Sequence, residues 1–220
     1  MSDAATTQRH QRIAQWLLRQ QDEKRAYAPL PPDLALKDGA EAYAVQAVFQ
    51  NLASERRGPL AGGKVALTTP VMQQLVNYHQ PMAGGILART IHQSPAELSF
   101  ADFVHPLFEC EVAVQLGADL KPGEGPFTAE GLGSAVAACM AAIEIADDRS
   151  ADYKALDPLL LIAENAWNRG CVLAPPVRNW RALDLPKARG VTRIAGREAG
   201  AGFAAGDARD AARLRQVERA

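Results

Sequence analysis

The chain has 220 residues, with 24 Lys and Arg against 25 Asp and Glu, giving a formal net charge of −1. That length supports one domain, or a core domain with a small appendage, and buries a large share of its surface. The near-neutral balance gives no long-range attraction for nucleic acid or an anionic membrane surface, so neither is expected as a partner.

The three cysteines, Cys110, Cys139 and Cys171, are widely spaced in apolar stretches and read as reduced thiols. The first 25 residues are polar and charged with no apolar signal core, and no later stretch approaches the roughly 20 apolar residues of a membrane span. A cytoplasmic location is the expectation.

In chain order, residues 8–26 place Ile13, Trp16, Leu17 and Leu18 among charges at near-helical spacing, which predicts an amphipathic helix ending before the Pro29, Pro31, Pro32 cluster. Asp38 and Glu41 form a D-x-x-E capping pattern. Val45, Val48, Phe49 and Leu52 then make one stripe and Gly58 a stop, so a second helix is expected. After Gly62 and Gly63 a short strand runs from Lys64 to Leu67, and Thr69 and Pro70 suit the N-cap and first position of a helical turn.

Residues 108–116, FECEVAVQL, alternate with period two. This puts Cys110, Val112, Val114 and Leu116 on a face expected to join the core, and Glu109 and Glu111 on the other. Thr128 is placed to cap an Ala-rich helix running to about Met140. Ala142 to Ala146 reads as a strand with Ile143 and Ile145 facing away from Glu144. Residues 191–202 read as a hairpin turning at Ala195 and Gly196, and the last residues, DARDAARLRQVERA, are Arg-rich with only Leu214 and Val217 as large apolar side chains.

The chemistry of the sequence sits in its acids. Glu109 and Glu111 leave the same face of a strand with Cα atoms roughly 6.5 to 7 Å apart. Two ionised carboxylates there repel by on the order of 2 to 3 kcal/mol at an effective dielectric of about 20, and a third nearby would roughly triple the sum. Such a cluster needs a cation or a proton. Carboxylates with room for waters suit Mg²⁺ or Mn²⁺ and disfavour Zn²⁺. Taken alone, an E-x-E strand is equally the pattern of a solvent-facing strand in an antiparallel sheet.

Four blocks in order change that balance: GGKVALTTPVMQ at 62–73, FECEVAVQL at 108–116, AIEIADDR at 142–149 and AENAWNRGCVLA at 163–174. Across residues 40 to about 200 these resemble the fumarylacetoacetate hydrolase superfamily, on its branch of 2-keto-4-pentenoate hydratases and 2-oxo acid decarboxylases. The resemblance implies an α+β fold, a mixed and mostly antiparallel β-roll behind an N-terminal helical part. Its domains would be a helical part at 1–60, a metal-binding β-rich core at 61–206 and an atypical tail at 207–220.

By the same resemblance Glu109, Glu111 and Glu144 would be the metal ligands, for Mg²⁺ or Mn²⁺, and Lys64 the acid/base residue beside the substrate. Gln73 and Arg149 would be lesser substrate contacts, although Arg149 is expected to pair with Asp147 or Asp148. His10, His79, His92 and His105 lack ligand spacing, and only His105 lies near the metal strand. The implied activity is a hydratase adding water to short 2-hydroxydienoates in aromatic catabolism, working on a 2-oxo acid in a homo-oligomer. The alternatives are a decarboxylase or C–C hydrolase of the same superfamily, or a non-catalytic paralogue acting as a partner subunit.

Three departures from the family pattern stand out. Met82 or Ala83 occupies the place of a usual acidic residue, and Glu164 and Trp167 alter the fourth block. After the hairpin the family continues with a helix and further strands, whereas this chain carries AAGDARDAARLRQVERA. The expectation is a truncated or frameshifted end that leaves β edges unpaired.

Overall fold

The computed structural model describes residues 3–121 and 128–203, so the Arg-rich tail at 207–220 lies outside the described residues. In chain order the elements are α1 (Asp3–Asp22), α2 (Gly39–Arg57), β1 (Leu60–Ala66), α3 (Pro70–Leu75), β2 (Met82–Leu87), β3 (Ile91–Gln93), β4 (Pro106–Leu116), α4 (Ala129–Ala135), β5 (Val136–Asp147), α5 (Pro158–Ala163), β6 (Asn168–Leu173), β7 (Arg189–Ile194) and β8 (Arg197–Phe203). Helices and sheets thus combine in an α+β fold.

The chain divides into two compact units. Of the described residues, one comprises 3–92, 97–109 and 144–171, the other 93–96, 110–121, 128–143 and 172–203. The largest sheet has the order β3-β6-β5-β4.

The first unit is built on helices packed together. Ile13 and Leu17 of α1, Val45 and Phe49 of α2, and Leu160 and Ile162 of α5 form its apolar core with Met82 and Trp167. α1 begins five residues before the expected start and stops at Asp22 rather than 26. Its end is a Schellman motif: Lys24 takes a left-handed φ of 51°, its N–H reaches Gln21, and the Arg25 N–H reaches Gln20 O at 2.9 Å. With Lys in the position that usually holds glycine, the stop carries no glycine signal.

α2 forms as its ends dictate. The Asp38 carboxylate accepts from the Glu41 N–H at 2.8 Å, while Glu41 Oε2 accepts from the Lys37 N–H at 2.8 Å. Such a cap contributes about 1 kcal/mol. Gly58, at φ 78°, ends the helix by donating to Ser54 O. Thr69 caps α3 as expected, its hydroxyl accepting from the Met72 N–H.

β1 and β2 pair antiparallel in a two-stranded sheet, with Lys64 opposite Gly84 and Val65 opposite Ala83. Two isolated strands are marginal in water, so other groups must hold this pair. Side chains of α2 supply them. Tyr43 Oη accepts the Ala83 N–H at 3.0 Å, and Gln46 Nε2 donates to Ala83 O at 2.9 Å and Ile162 O at 2.8 Å.

In the second unit, two expectations are corrected. The helix capped by Thr128 stops at Ala135, and Val136 to Met140 belong to the 12-residue strand β5. An alanine run fits either state. Here strand-like partners decide it, with Cys139 exchanging backbone bonds with Val177 and Ala141 O accepting from Ala174. The expected core face of β4 is also open: Val112, Val114 and Leu116 are 42%, 55% and 49% exposed. Among the described residues, β7 meets this face at its Cys110 end, where Thr192 Oγ1 lies 3.0 Å from Cys110 Sγ. The β7–β8 hairpin itself turns at Ala195 and Gly196, at φ 48° and 80°, as a type I′ turn requires.

Candidate active site

Glu144, on β5, is the hub of the site. It is only 6% exposed, and its Oε1 lies 2.9 Å from Lys64 Nζ on β1. The same oxygen accepts from Asn168 Nδ2, at the start of β6, at 2.9 Å. A buried carboxylate is tolerated because an ammonium and an amide satisfy it.

Glu109, on β4, completes a charged cluster around this pair. Its side chain is reachable by solvent, yet crowded protein surroundings leave its charge poorly hydrated. That desolvation, and then the negative charge of Glu144, push its carboxyl above the usual range, while Lys64 pulls it back. One ammonium therefore does not balance these acids. Cys171, on β6, feels the same field: burial and then Glu144 push its thiol up.

Glu111 is two residues beyond Glu109 on β4, so strand alternation turns both side chains to one face. One carboxylate oxygen from each of Glu109, Glu111 and Glu144 can be taken so that all three lie within 4.8 Å of one another. The donors are all carboxylate oxygens, and the three acids outnumber the one ammonium paired with them, that of Lys64. Both properties fit a hard divalent cation.

The remaining candidates are engaged with other partners. Gln73, on α3, donates from Nε2 to Leu67 O at 2.9 Å. Arg149 is 1% exposed, and its side chain pairs with Glu164 rather than with Asp147 or Asp148. The expected neighbours are taken. Asp147 accepts from the Val104 and His105 N–H groups, and Asp148 from Ser150 N–H and Tyr153 Oη, with His105 Nδ1 at 2.7 Å.

Of the positions that depart from the family pattern, Met82 is a core residue and Ala83 is bonded to α2, so neither offers a titratable group. Glu164 is fully buried with Arg149 and Gln21, and Trp167 packs edge-on against Tyr27 and Tyr153. Asn168 went unread in the sequence. Its position in the fourth block was visible, but its partner, Glu144, is 24 residues away and found only through β5 and β6.

No protein-family model matches the chain. Among curated proteins it is 32% identical over 133 residues to a 2-keto-4-pentenoate hydratase of Paraburkholderia phymatum, covering 60% of this chain and 50% of the relative. It is 29% identical over 185 residues to a 2-keto-4-pentenoate hydratase of Paraburkholderia xenovorans, covering 82% and 66%. The chain spans about half the length of the first curated relatives it matches. Among solved structures it is similar to 4-oxalocrotonate decarboxylase from Pseudomonas putida G7 complexed with magnesium and adipate, with a TM-score of 0.80 and 19% identity. That match covers 90% of this chain and 74% of the decarboxylase. The fold is shared across that low identity, and the sequence relatives carry hydratase names. Both findings agree with the resemblance of the four sequence blocks to the fumarylacetoacetate hydrolase superfamily, and the solved neighbour shares the fold.

Proposed function

We propose that the chain is a divalent-metal-dependent hydratase adding water to short 2-hydroxydienoates of the 2-keto-4-pentenoate type. The observation that carries this reading is Lys64 held 2.9 Å from Glu144 beside a carboxylate cluster suited to a cation. Hydratase names among the sequence relatives favour it over decarboxylation.

Glu109, Glu111 and Glu144 would hold Mg²⁺ or Mn²⁺, which when bound supplies Lewis-acid polarisation of the carboxylate and keto oxygens of a 2-oxo acid. Lys64 Nζ, steered by Glu144, is then the group that carries protons. In the proposed reaction a proton leaves the 2-hydroxyl and returns at carbon 5, giving a conjugated enone. Water then adds at carbon 4 while carbon 3 takes a proton. Gln73 and Arg149 remain secondary candidates for substrate binding. Arg149 would act through Glu164, given its burial.

The reading includes a cytoplasmic, homo-oligomeric protein. Among the described residues no helix is long and apolar enough to cross a membrane. The open face of Val112, Val114 and Leu116 is the kind of surface that association covers. Light scattering gives the mass directly, and a monomer at all concentrations removes that part of the reading.

The deciding experiment titrates metal-free protein with Mn²⁺ and follows loss of the 2-hydroxypenta-2,4-dienoate chromophore, with Glu109→Gln alongside. Metal-dependent loss in the native chain and none in the variant is the expected result. Binding without turnover points to a decarboxylase or a non-catalytic paralogue, and no binding removes the metal site.

Acidity gives a second check. The folded Glu109 carboxyl titrates above its unfolded value, so its contribution to stability is present at low pH and is lost as pH rises through the folded value. Metal-free protein should lose stability over that rise, and Mn²⁺ affinity should grow over it because a cation needs the ionised group. In Glu109→Gln both slopes should flatten. Equal slopes in the two proteins would show that Glu109 does not sense the cation.

A further inference from the structure

Lys64 sits on a two-stranded sheet that cannot hold a side chain still unaided, and its position depends on a turn of unusual backbone. Asn165, Ala166 and Trp167 all take left-handed φ values, 62°, 47° and 57°. None of the three is glycine, and such a run persists only when its surroundings over-determine it. The surroundings here are specific to Asn165. Its Oδ1 accepts from the Gly85 N–H at 2.7 Å and from Gln50 Nε2 at 2.9 Å, and its Nδ2 donates to Gly85 O at 2.8 Å.

The amide of Asn165 thus pairs with the backbone of Gly85 as a neighbouring strand would, on β2. One residue away, Gly84 is the register partner of Lys64. A Cβ on Gly84 would lie 3.2 Å from both Asn165 O and Lys64 Cδ, so the lysine side chain crosses Gly84 with the turn against it. Three residues past Asn165, the same turn delivers Asn168 to Glu144 Oε1, the oxygen that also holds Lys64 Nζ. One turn therefore fixes both sides of the ion pair.

We propose that Asn165 is a positioning residue for the acid/base lysine: its clasp on Gly85, braced by Gln50, fixes the strand pair so that Lys64 Nζ meets Glu144. The role in turnover rests on the proposed hydratase reading. The placement of Lys64 does not.

The test uses Asn165→Gly, which keeps a left-handed backbone comfortable while deleting the clasp. Lys64 reactivity toward a water-soluble acylating reagent is measured by mass spectrometry, with the exposed Lys187 as internal reference. With the side chain of Lys64 only 11% exposed in the native chain, its labelling should rise about threefold or more once the pairing with Glu144 loosens, while Lys187 stays unchanged. Unchanged Lys64 labelling in a folded variant overturns the inference.

If the native chain turns over dienoate, kcat in Asn165→Gly should fall about tenfold with KM within about twofold, as misplacement of a proton carrier predicts. In a Lys64→Gln background the same substitution should lower kcat no further. A further loss there would show that Asn165 acts by general destabilisation. Absence of turnover in the native chain sinks the hydratase reading and leaves the labelling result to decide the positioning role alone. Asn165→Asp, which keeps the acceptor and loses the donor to Gly85 O, covers the case in which the glycine variant fails to fold, and is expected to give intermediate labelling. Native-level labelling in that variant, with the donor gone, would also count against the clasp.

Discussion

Arg149→Ala is expected to cost about 3 to 5 kcal/mol of stability, because it strands a buried carboxylate. Arg149 and Glu164 have side chains 1% and 0% exposed and pair directly. Arg149 also donates from Nη1 to Arg25 O at 3.1 Å and lies over the Tyr27 ring at 5.9 Å. Burial pushes the Glu164 carboxyl up, and the charge of Arg149 is the largest force pulling it back. Without Arg149 the acid must either protonate or remain charged in the core. Thermal unfolding should fall by on the order of 10 °C near neutral pH.

The sign of the pH effect follows. With its pKa raised further in the variant, Glu164 costs least when protonated, so part of the lost stability should return as pH is lowered from neutrality. An Arg149→Met, Glu164→Leu double variant should recover most of the stability, since an apolar pair of similar volume requires no compensation. An Arg149→Ala protein melting within about 2 °C of the native chain would show that the pair contributes nothing net.

Lys64→Met separates proton transfer from cation binding. Removing a general acid or base typically costs about 10² to 10⁴ in rate, so dienoate turnover should fall by that order. Mn²⁺ binding should tighten rather than weaken, because the ammonium that neutralises Glu144 is gone and a cation is left to do so. The metal-free variant should also be less stable, with Glu144 6% exposed and left with Asn168 as its remaining donor among the described partners. Calorimetric titration and initial rates measured on one preparation check both halves. Turnover retained within about threefold would remove Lys64 as the proton carrier.

Local signals in the sequence determined a good part of this chain. The Asp38 cap, the stripe of α2, the Gly58 stop, the Thr69–Pro70 start and the Ala195–Gly196 turn all depend on residues a few positions apart, and the structure shows each of them. Period-two spacing likewise sufficed to put Glu109 and Glu111 on one side of β4. The order of four short blocks pointed to the superfamily.

Tertiary structure decided what depends on distant partners. The end of α1 rests on a lysine in a left-handed position. Val136 to Met140 are strand because Val177 and Ala174 supply backbone partners to β5. Arg149 passes over its adjacent acids, whose oxygens are already occupied by backbone N–H groups, Tyr153 and His105, and pairs with Glu164 in the core. Asn165 and Asn168 acquire their roles only when the turn between α5 and β6 meets β2 on one side and Glu144 on the other. Hydrogen bonds across 24 and 80 residues leave no periodic trace in a sequence, because the chain between them is free to take any pattern that returns the two ends to each other.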